Sequence, residues 1–244
     1  MKTCLFGVDG LLGSQWVDSL IQLNHEVVGV GPGAKASNSK FDSKIKYYSI
    51  DLSKEESESL KHVFNVEKPD NVIVNSGLDA RPGTGQSQLS QYSLNSWKEI
   101  FEVNLFGLVR ILNTAVENST PPRNIIIIGS MYTEKSPNPH MYSHYAPNGL
   151  TKHPAYSASK FGALSIVKQY ASHYAPSKIY INMISPGVVM SNQDSEFTEK
   201  ITKRIPLERL SDPSEFHSLL EYLLEGNSYS IGQNFVVDGG MNLW

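Results

Sequence analysis

Thr3-Cys4-Leu5-Phe6-Gly7-Val8-Asp9-Gly10-Leu11-Leu12-Gly13 is the stretch from which the rest of the chain can be read. Residues 3–6 are a short apolar run, enough for one buried strand. Three glycines follow, and helical periodicity then runs to about Leu23. Strand, glycine-rich turn and helix in that order open a dinucleotide-binding unit. The glycines let backbone approach a pyrophosphate, and the helix start offers unpaired N–H groups and a positive dipole end. Cofactor contacts are therefore expected from Gly7, Asp9, Gly10, Leu11, Leu12 and Gly13. The same glycine string anywhere else would be a plain tight turn.

Working outward, residues 26–30 read as the second strand. Dinucleotide folds often end that strand in an acid that holds the adenosine ribose hydroxyls. Here it ends in Gly31-Pro32-Gly33-Ala34-Lys35, with no acid. The expectation leans to NADP over NAD, with Lys35 meeting a 2′-phosphate or else standing as a solvated loop charge. Residues 46–50 form a third strand running into Asp51-Leu52, and a helix is expected over 54–67. Residues 71–74 are a buried strand ending in Asn75-Ser76-Gly77, small enough for backbone to lie against a cofactor. Residues 78–95 read as loop and 96–118 as a long helix. Asn104 sits among apolar neighbours in that helix, a costly place for an amide unless it is bonded.

Residues 123–128 carry four isoleucines and run into Gly129-Ser130. Such a run fits a sheet covered on both faces. Residues 131–154 contain four prolines and little periodicity, and read as a loop insertion. A helix follows to about Tyr174, then a strand at 179–184 ending in Ser185-Pro186-Gly187. Helices are expected at 195–204 and 213–225, and a last strand at 234–237 before Asp238-Gly239-Gly240. The alternation implies an α/β fold, a Rossmann-type doubly wound parallel sheet of about seven strands with helices on both faces. Residues 1–244 read as a single domain with the insertion at 131–154.

The composition sets limits. The chain has 244 residues, 40% hydrophobic, with 18 glycines and a net charge of −3. That charge argues against nucleic acid or an anionic membrane as partner. The one cysteine, Cys4, allows no internal disulfide, reads as a packed core thiol, and fits a reducing cytoplasm. No apolar run approaches the ~20 residues that span a bilayer, no signal peptide is visible, and no metal is expected.

Tyr156 and Lys160 are four apart on a helix, so they share one face. A free phenol titrates near ~10, too high for a base at neutral pH. An ammonium one turn away favours the phenolate, so the pair is expected to exchange a proton with a hydroxyl or carbonyl. Alone, such a pair is commonplace on helices.

Together these residues resemble the short-chain dehydrogenase/reductase family over the whole chain. The matching elements are the glycine turn, Asp51-Leu52, Asn75-Ser76-Gly77, Asn104, Ser130, Tyr156 with Lys160, Pro186-Gly187, and Gly232-Gln233 with Val237-Asp238-Gly239-Gly240. The resemblance implies NAD or NADP as cofactor and a set of roles. Tyr156 is the acid/base, Lys160 lowers its pKa and holds the nicotinamide ribose, and Ser130 orients the reacting oxygen. Asn104 holds a water that relays protons. Asp51 and Leu52 sit by the adenine, and Pro186, Gly187, Val188 and Val189 face the nicotinamide.

Two departures stand out. The short members read G-x-x-x-G-x-G, but the middle glycine here is Gly10 rather than residue 11, as in the extended, sugar-nucleotide-handling members. The gap from Ser130 to Tyr156 is also long. Yet the Val-Asp-Gly-Gly end belongs to the short members, and too few residues follow Gly187 for the added substrate domain of the extended ones. The segment 188–197 and the insertion look like a bacterial branch associated with flagellin modification and surface-polysaccharide synthesis. The implied function is hydride transfer at a carbonyl or hydroxyl of a polar, polyhydroxylated small molecule. Open alternatives are a sugar-nucleotide epimerase or dehydratase with retained cofactor, and a non-catalytic dinucleotide sensor.

The insertion is expected to close over the pocket with Tyr132, His140, Tyr142, His144, Tyr145, Asn148, Lys152 and His153, the last two meeting a phosphate. Asn192, Gln193 and Asp194 would close the other side. A homotetramer or homodimer is expected, through the Tyr156 and Asn104 helices, with Met241 to Trp244 at a second interface.

Overall fold

The computed structural model describes residues 1–33, 44–54, 57–79, 88–142 and 152–243. In chain order the elements are β1 (Lys2–Phe6), α1 (Leu11–Gln22), β2 (Glu26–Gly31), β3 (Lys46–Ser49), α2 (Ser57–Glu67) and β4 (Asn71–Val74). Then come α3 (Leu94–Phe101), α4 (Gly107–Val116), β5 (Asn124–Ile128), α5 (Pro154–Tyr174), β6 (Tyr180–Pro186), α6 (Ser195–Thr202), α7 (His217–Glu221) and β7 (Asn234–Val237). The seven strands form one parallel sheet in the order β3-β2-β1-β4-β5-β6-β7. The chain winds outward from β1 to β3, then crosses back to β4. The order therefore reverses between β1 and β4, where Phe6 pairs with Val74. A crevice opens beyond the carboxyl ends of strands at such a reversal.

The central strands β1, β4, β5 and β6 are buried and mostly apolar because both faces are covered, whereas the edge strands β3 and β7 are partly exposed. In β5 the side chains alternate: Ile125 and Ile127 join Cys4, Phe6, Phe64 and Leu112, whereas Ile126 and Ile128 join Leu5, Trp16, Leu20 and Phe216. The first layer is capped by α2, α4 and α5, the second by α1 and α7. Cys4 is fully buried, and burial pushes its thiol far up, as an inert core residue requires.

Several boundaries differ from expectation. The long helix begins at Leu94, not Ser96, because Ser93 caps it by accepting from the Ser96 N–H at 3.2 Å. It is interrupted by a π-helical turn at Glu102–Phe106, with Asn104 buried inside it. The expected helix at 213–225 splits into a 3₁₀ turn at Pro213–Phe216, α7, and a π turn at Tyr222–Gly226. The insertion is not simply loop. Its described part holds 3₁₀ turns at Met131–Thr133 and Pro139–Tyr142, and Met131, Tyr132, Met141 and Tyr142 form a small core with Phe197, Ile201, Ile205 and Met241. Met241 is thus covered by its own chain, contrary to the expected intersubunit packing; Leu243 is exposed and Trp244 lies outside the described residues. No described helix is long and apolar enough to cross a membrane.

Candidate active site

The crevice starts at the glycine turn. Gly7 takes φ +76°, where a side chain would be strained, and a Cβ there would lie 2.6 Å from the Ser76 nitrogen. A Cβ on Gly13 would lie 2.2 Å from the Gly7 carbonyl oxygen. Asn75 locks the turn by donating from Nδ2 to that same oxygen at 2.9 Å. Only glycine fits where β1, β4 and α1 converge this closely. Gly10 begins α1 with no side-chain cap, so amides of the first turn stay available to a ligand.

Two cavities adjoin this turn and share Gly10, Asn75 and Gly77. One, of about 440 Å³, is lined by Gly7, Asp9, Gly31, Ile50, Asp51 and Leu52, with Ser76 and Val103. The other, of about 500 Å³, is lined by Leu11, Leu12, Ser130, Tyr156 and Lys160 and by Pro186, Gly187, Val188 and Val189. Every cofactor residue expected from the sequence borders one or both, except Gly13, which is packed beneath the turn, and Lys35, which lies outside the described residues. Asp51 holds its own loop, accepting from the Ser53 N–H and hydroxyl at 3.0 and 2.7 Å.

Ser130, Tyr156 and Lys160 meet in the second cavity. Helix α5 starts one turn before Tyr156, with Pro154 at its first position and His153 as its cap. Lys160 is buried, and its Nζ donates to the Ile128 carbonyl at 2.8 Å, next to Gly77. Burial brings this ammonium down to about 8. The expectation that Lys160 lowers the Tyr156 phenol is not met. Burial raises the phenol, the Asp79 charge adds to the rise, and a hydrogen bond with Ser130 opposes it. Lys160 Nζ lies 5.8 Å from the Tyr156 ring centroid and is tethered to backbone, so it does not offset the desolvation.

Asn104 is brought to the same place by the π turn. Its Nδ2 donates to Leu78 O at 3.1 Å and Ser159 Oγ at 3.0 Å, and its Oδ1 accepts from the Leu78 N–H at 2.7 Å. Both amide protons are used, which leaves one lone pair on Oδ1 to accept from a further donor. A π bulge in an otherwise α-helical run is often found at a functional site.

The insertion contributes unevenly. Tyr132, Tyr142 and Lys152 line the cavity with Gln193, but the two tyrosine hydroxyls bond each other at 2.8 Å. His153, expected to meet a phosphate, is buried: Nδ1 accepts from the Ala155 N–H, Nε2 pairs with Ser96 Oγ, and the ring lies 4.1 Å from that of Tyr92. It is a helix cap. His140 is exposed away from the cavity, and Asp194 caps α6 through the Phe197 N–H. Asn192 does not border it either. His144, Tyr145 and Asn148 lie outside the described residues. The lining residues not expected from the sequence are Asp79, Ile128, Gly129, Met131 and Phe197. Asp79 pairs with Lys152 across the cavity mouth, and its place two residues past Asn75-Ser76-Gly77 was the available signal. Among the described residues no cluster of metal-binding side chains occurs.

Comparison with known proteins adds to this geometry. The profile of the family described as Enoyl-(Acyl carrier protein) reductase matches residues 34–242. The ribulose-forming D-arabinitol 2-dehydrogenase of Scheffersomyces stipitis is 31% identical over 130 residues, 50% of this chain and 43% of that protein. The 3-alpha-(or 20-beta)-hydroxysteroid dehydrogenase of Mycobacterium tuberculosis is 30% identical over 170 residues, 69% of this chain and 59% of that protein. The chain therefore spans about half the length of these curated relatives. A short-chain dehydrogenase from Leptospira borgpetersenii, solved with bound NAD+, superposes with a TM-score of 0.83 at 24% identity, over 98% of this chain and 92% of that one. These comparisons bear on the fold and the family and give no support to the narrower flagellin and polysaccharide branch.

Proposed function

The chain belongs to the short-chain dehydrogenase/reductase family, and from that premise we propose that it is a single-domain NAD(P)-dependent oxidoreductase acting on a carbonyl or hydroxyl of a polar small molecule. The observation that carries this reading is the joining of two cavities through Gly10, Asn75 and Gly77, one at the glycine turn and one holding Ser130, Tyr156 and Lys160. The residues fit a dinucleotide. Gly7 and Gly13 leave no room for a Cβ, and the start of α1 is uncapped, as close approach of a pyrophosphate requires. Ile50, Leu52 and Val103 give the first cavity an apolar wall suited to adenine. When bound, the nicotinamide supplies or accepts the hydride.

The chain's own groups move the proton. A phenol raised by burial holds its proton at neutral pH and is suited to donate it to a carbonyl oxygen as that oxygen gains charge. Ser130, bonded to the Tyr156 side chain, orients the same oxygen. Lys160, which burial brings down to about 8, can serve as the replenishing acid, and the remaining lone pair of Asn104 Oδ1 can hold a water on the way to it. Pro186 to Val189 wall the nicotinamide side.

Tyr142, Lys152, Asp79 and Gln193 favour a polyhydroxylated substrate, and an arabinitol-oxidising relative is in keeping with that. Met131 and Phe197 supply the apolar share that most small-molecule pockets carry. Exposed Phe106 and Phe161, on or beside α4 and α5, suit a homo-oligomer contact, and the buried lone thiol suits a reducing cytoplasm. The test is a panel of polyols, sugar phosphates, nucleotide sugars, steroids and acyl thioesters, with product and reduced dinucleotide both counted. One dinucleotide converted per product on hydroxylated compounds supports the reading. Turnover without net dinucleotide change would mean an epimerase or dehydratase, and turnover confined to steroids or thioesters would remove the substrate class.

A further inference from the structure

Ser130 caps the 3₁₀ turn Met131–Thr133, its Oγ accepting from the Tyr132 N–H at 3.1 Å. That bond leaves the hydroxyl proton of Ser130 for the cavity side. Its N–H donates to Thr133 Oγ1 at 2.9 Å, and its carbonyl accepts from the Thr133 N–H at 2.9 Å. Thr133 itself is buried and borders neither cavity. A capping box needs nothing more than these two residues. Thr133 Oγ1 nevertheless accepts a second bond, from Ser185 Oγ at 3.2 Å, and Ser185 also donates to Asn234 Oδ1 of β7 at 2.7 Å. Ser185 lies in β6, immediately before the wall formed by Pro186 to Val189. Gly129 leaves the space for this tie: a Cβ there would lie 2.4 Å from Ser185 Oγ and 2.7 Å from Thr133 Oγ1.

We propose that Thr133 is a positioning residue for the reaction. Acting through Ser130, it sets the distance between the group that orients the reacting oxygen and the strand end that walls the nicotinamide side. This rests on the oxidoreductase reading above and adds to it a residue that lines no part of the site. One oxygen receives two donors from different elements, so neither Ser130 nor the end of β6 can shift without losing a buried hydrogen bond. Reacting groups tolerate little misplacement, since a shift of ~1 Å can cost ~10²-fold in rate. A valine at position 133 would keep the shape of threonine but leave the Ser130 N–H without its acceptor.

The test is a double-mutant cycle on the full chain, using whichever compound of the panel above wild type turns over fastest. Thr133→Val should lower kcat about tenfold or more, with affinity for NADH and NADPH, followed by nicotinamide fluorescence, within about twofold of wild type. Thr133→Ser, which keeps the hydroxyl, should return most of the rate. In a Ser130→Ala background Thr133→Val should cost less than about twofold, because the residue it acts through is gone. Ser185→Ala cuts the far end of the tie and should show the same pattern with a smaller loss; it decides the matter if Thr133→Val does not fold. A wild-type rate in Thr133→Val, a Thr133→Ser no faster than Thr133→Val, or an equal loss with and without the Ser130 hydroxyl overturns the proposal and leaves the oxidoreductase reading standing. No turnover of any panel compound by wild type removes that reading and this proposal with it.

Discussion

Lys152 stands over the ring of Tyr156, its Nζ 4.9 Å from the centroid, nearer than Lys160 at 5.8 Å. It also lies near the rings of Tyr132 and Tyr142 and is paired with Asp79. The reacting phenol therefore feels a cation and an anion from the same ion pair. A cation over an aromatic face is attracted by its quadrupole and favours the phenolate; the Asp79 charge disfavours it.

The pair gives predictions of opposite sign. For alcohol oxidation the rate rises as the phenol deprotonates. Asp79→Asn removes a charge that raises Tyr156, so the rising limb of kcat/KM against pH should move to lower pH. Lys152→Met should move it to higher pH. A common direction for both would contradict the electrostatic role given to them.

Lys160 carries a stability cost. Its folded value is near 8, below the ordinary 10.5, so the unfolded chain holds the proton more tightly. The cost is full below pH 8, shrinks as pH rises toward the unfolded value, and is gone above it. At ~1.4 kcal/mol per pKa unit the ceiling is roughly 3 kcal/mol. Loss of the bond to Ile128 returns part of that, at about 1–3 kcal/mol for an unsatisfied buried carbonyl. Lys160→Met should abolish turnover and weaken dinucleotide binding. Its stability relative to wild type, from denaturant melts, should be best at pH 6–7 and fall as pH approaches 10. A difference independent of pH would mean that Lys160 is not depressed.

Gly13→Ala tests the turn. Its Cβ would collide with the Gly7 carbonyl oxygen at 2.2 Å and meet Asn75 Nδ2 at 3.0 Å. Overpacking of this kind costs ~1–3 kcal/mol, or about 2–4 °C in Tm for each kcal/mol in a chain of this size. Dinucleotide binding should be lost with it. Gly226→Ala, whose nearest neighbour is Tyr222 Cδ2 at 3.5 Å, should leave binding intact.

What could be read from the chain beforehand followed from local pattern. The glycine turn, the isoleucine run of β5 and the spacing of Tyr156 and Lys160 each depend on neighbours a few residues away, and the sheet order follows from the strand–helix alternation. What could not be read depended on contacts distant in sequence. Asp9 reaching Gly31, His153 turned inward onto Tyr92 and Ser96, and Lys160 held by Ile128 are products of the tertiary fold. The π turn at Asn104 was hidden for the same reason, since its amide is satisfied by Leu78 and Ser159. The pKa expectation failed because helical spacing places two groups on one face without saying how deeply both are buried.

The most direct test of the account is Tyr156→Phe, measured for turnover and for dinucleotide binding on the same preparation. The ring packs beside Val188 in the cluster of Met131 and Phe197, so the variant should fold. Only the hydroxyl carries the proton, and groups in this role supply ~10²–10⁴-fold in rate. The account predicts a loss of at least a hundredfold in kcat with dinucleotide affinity within a few-fold of wild type. A variant that keeps more than about a tenth of the wild-type rate on the true substrate would contradict the assignment of Tyr156 as the acid/base.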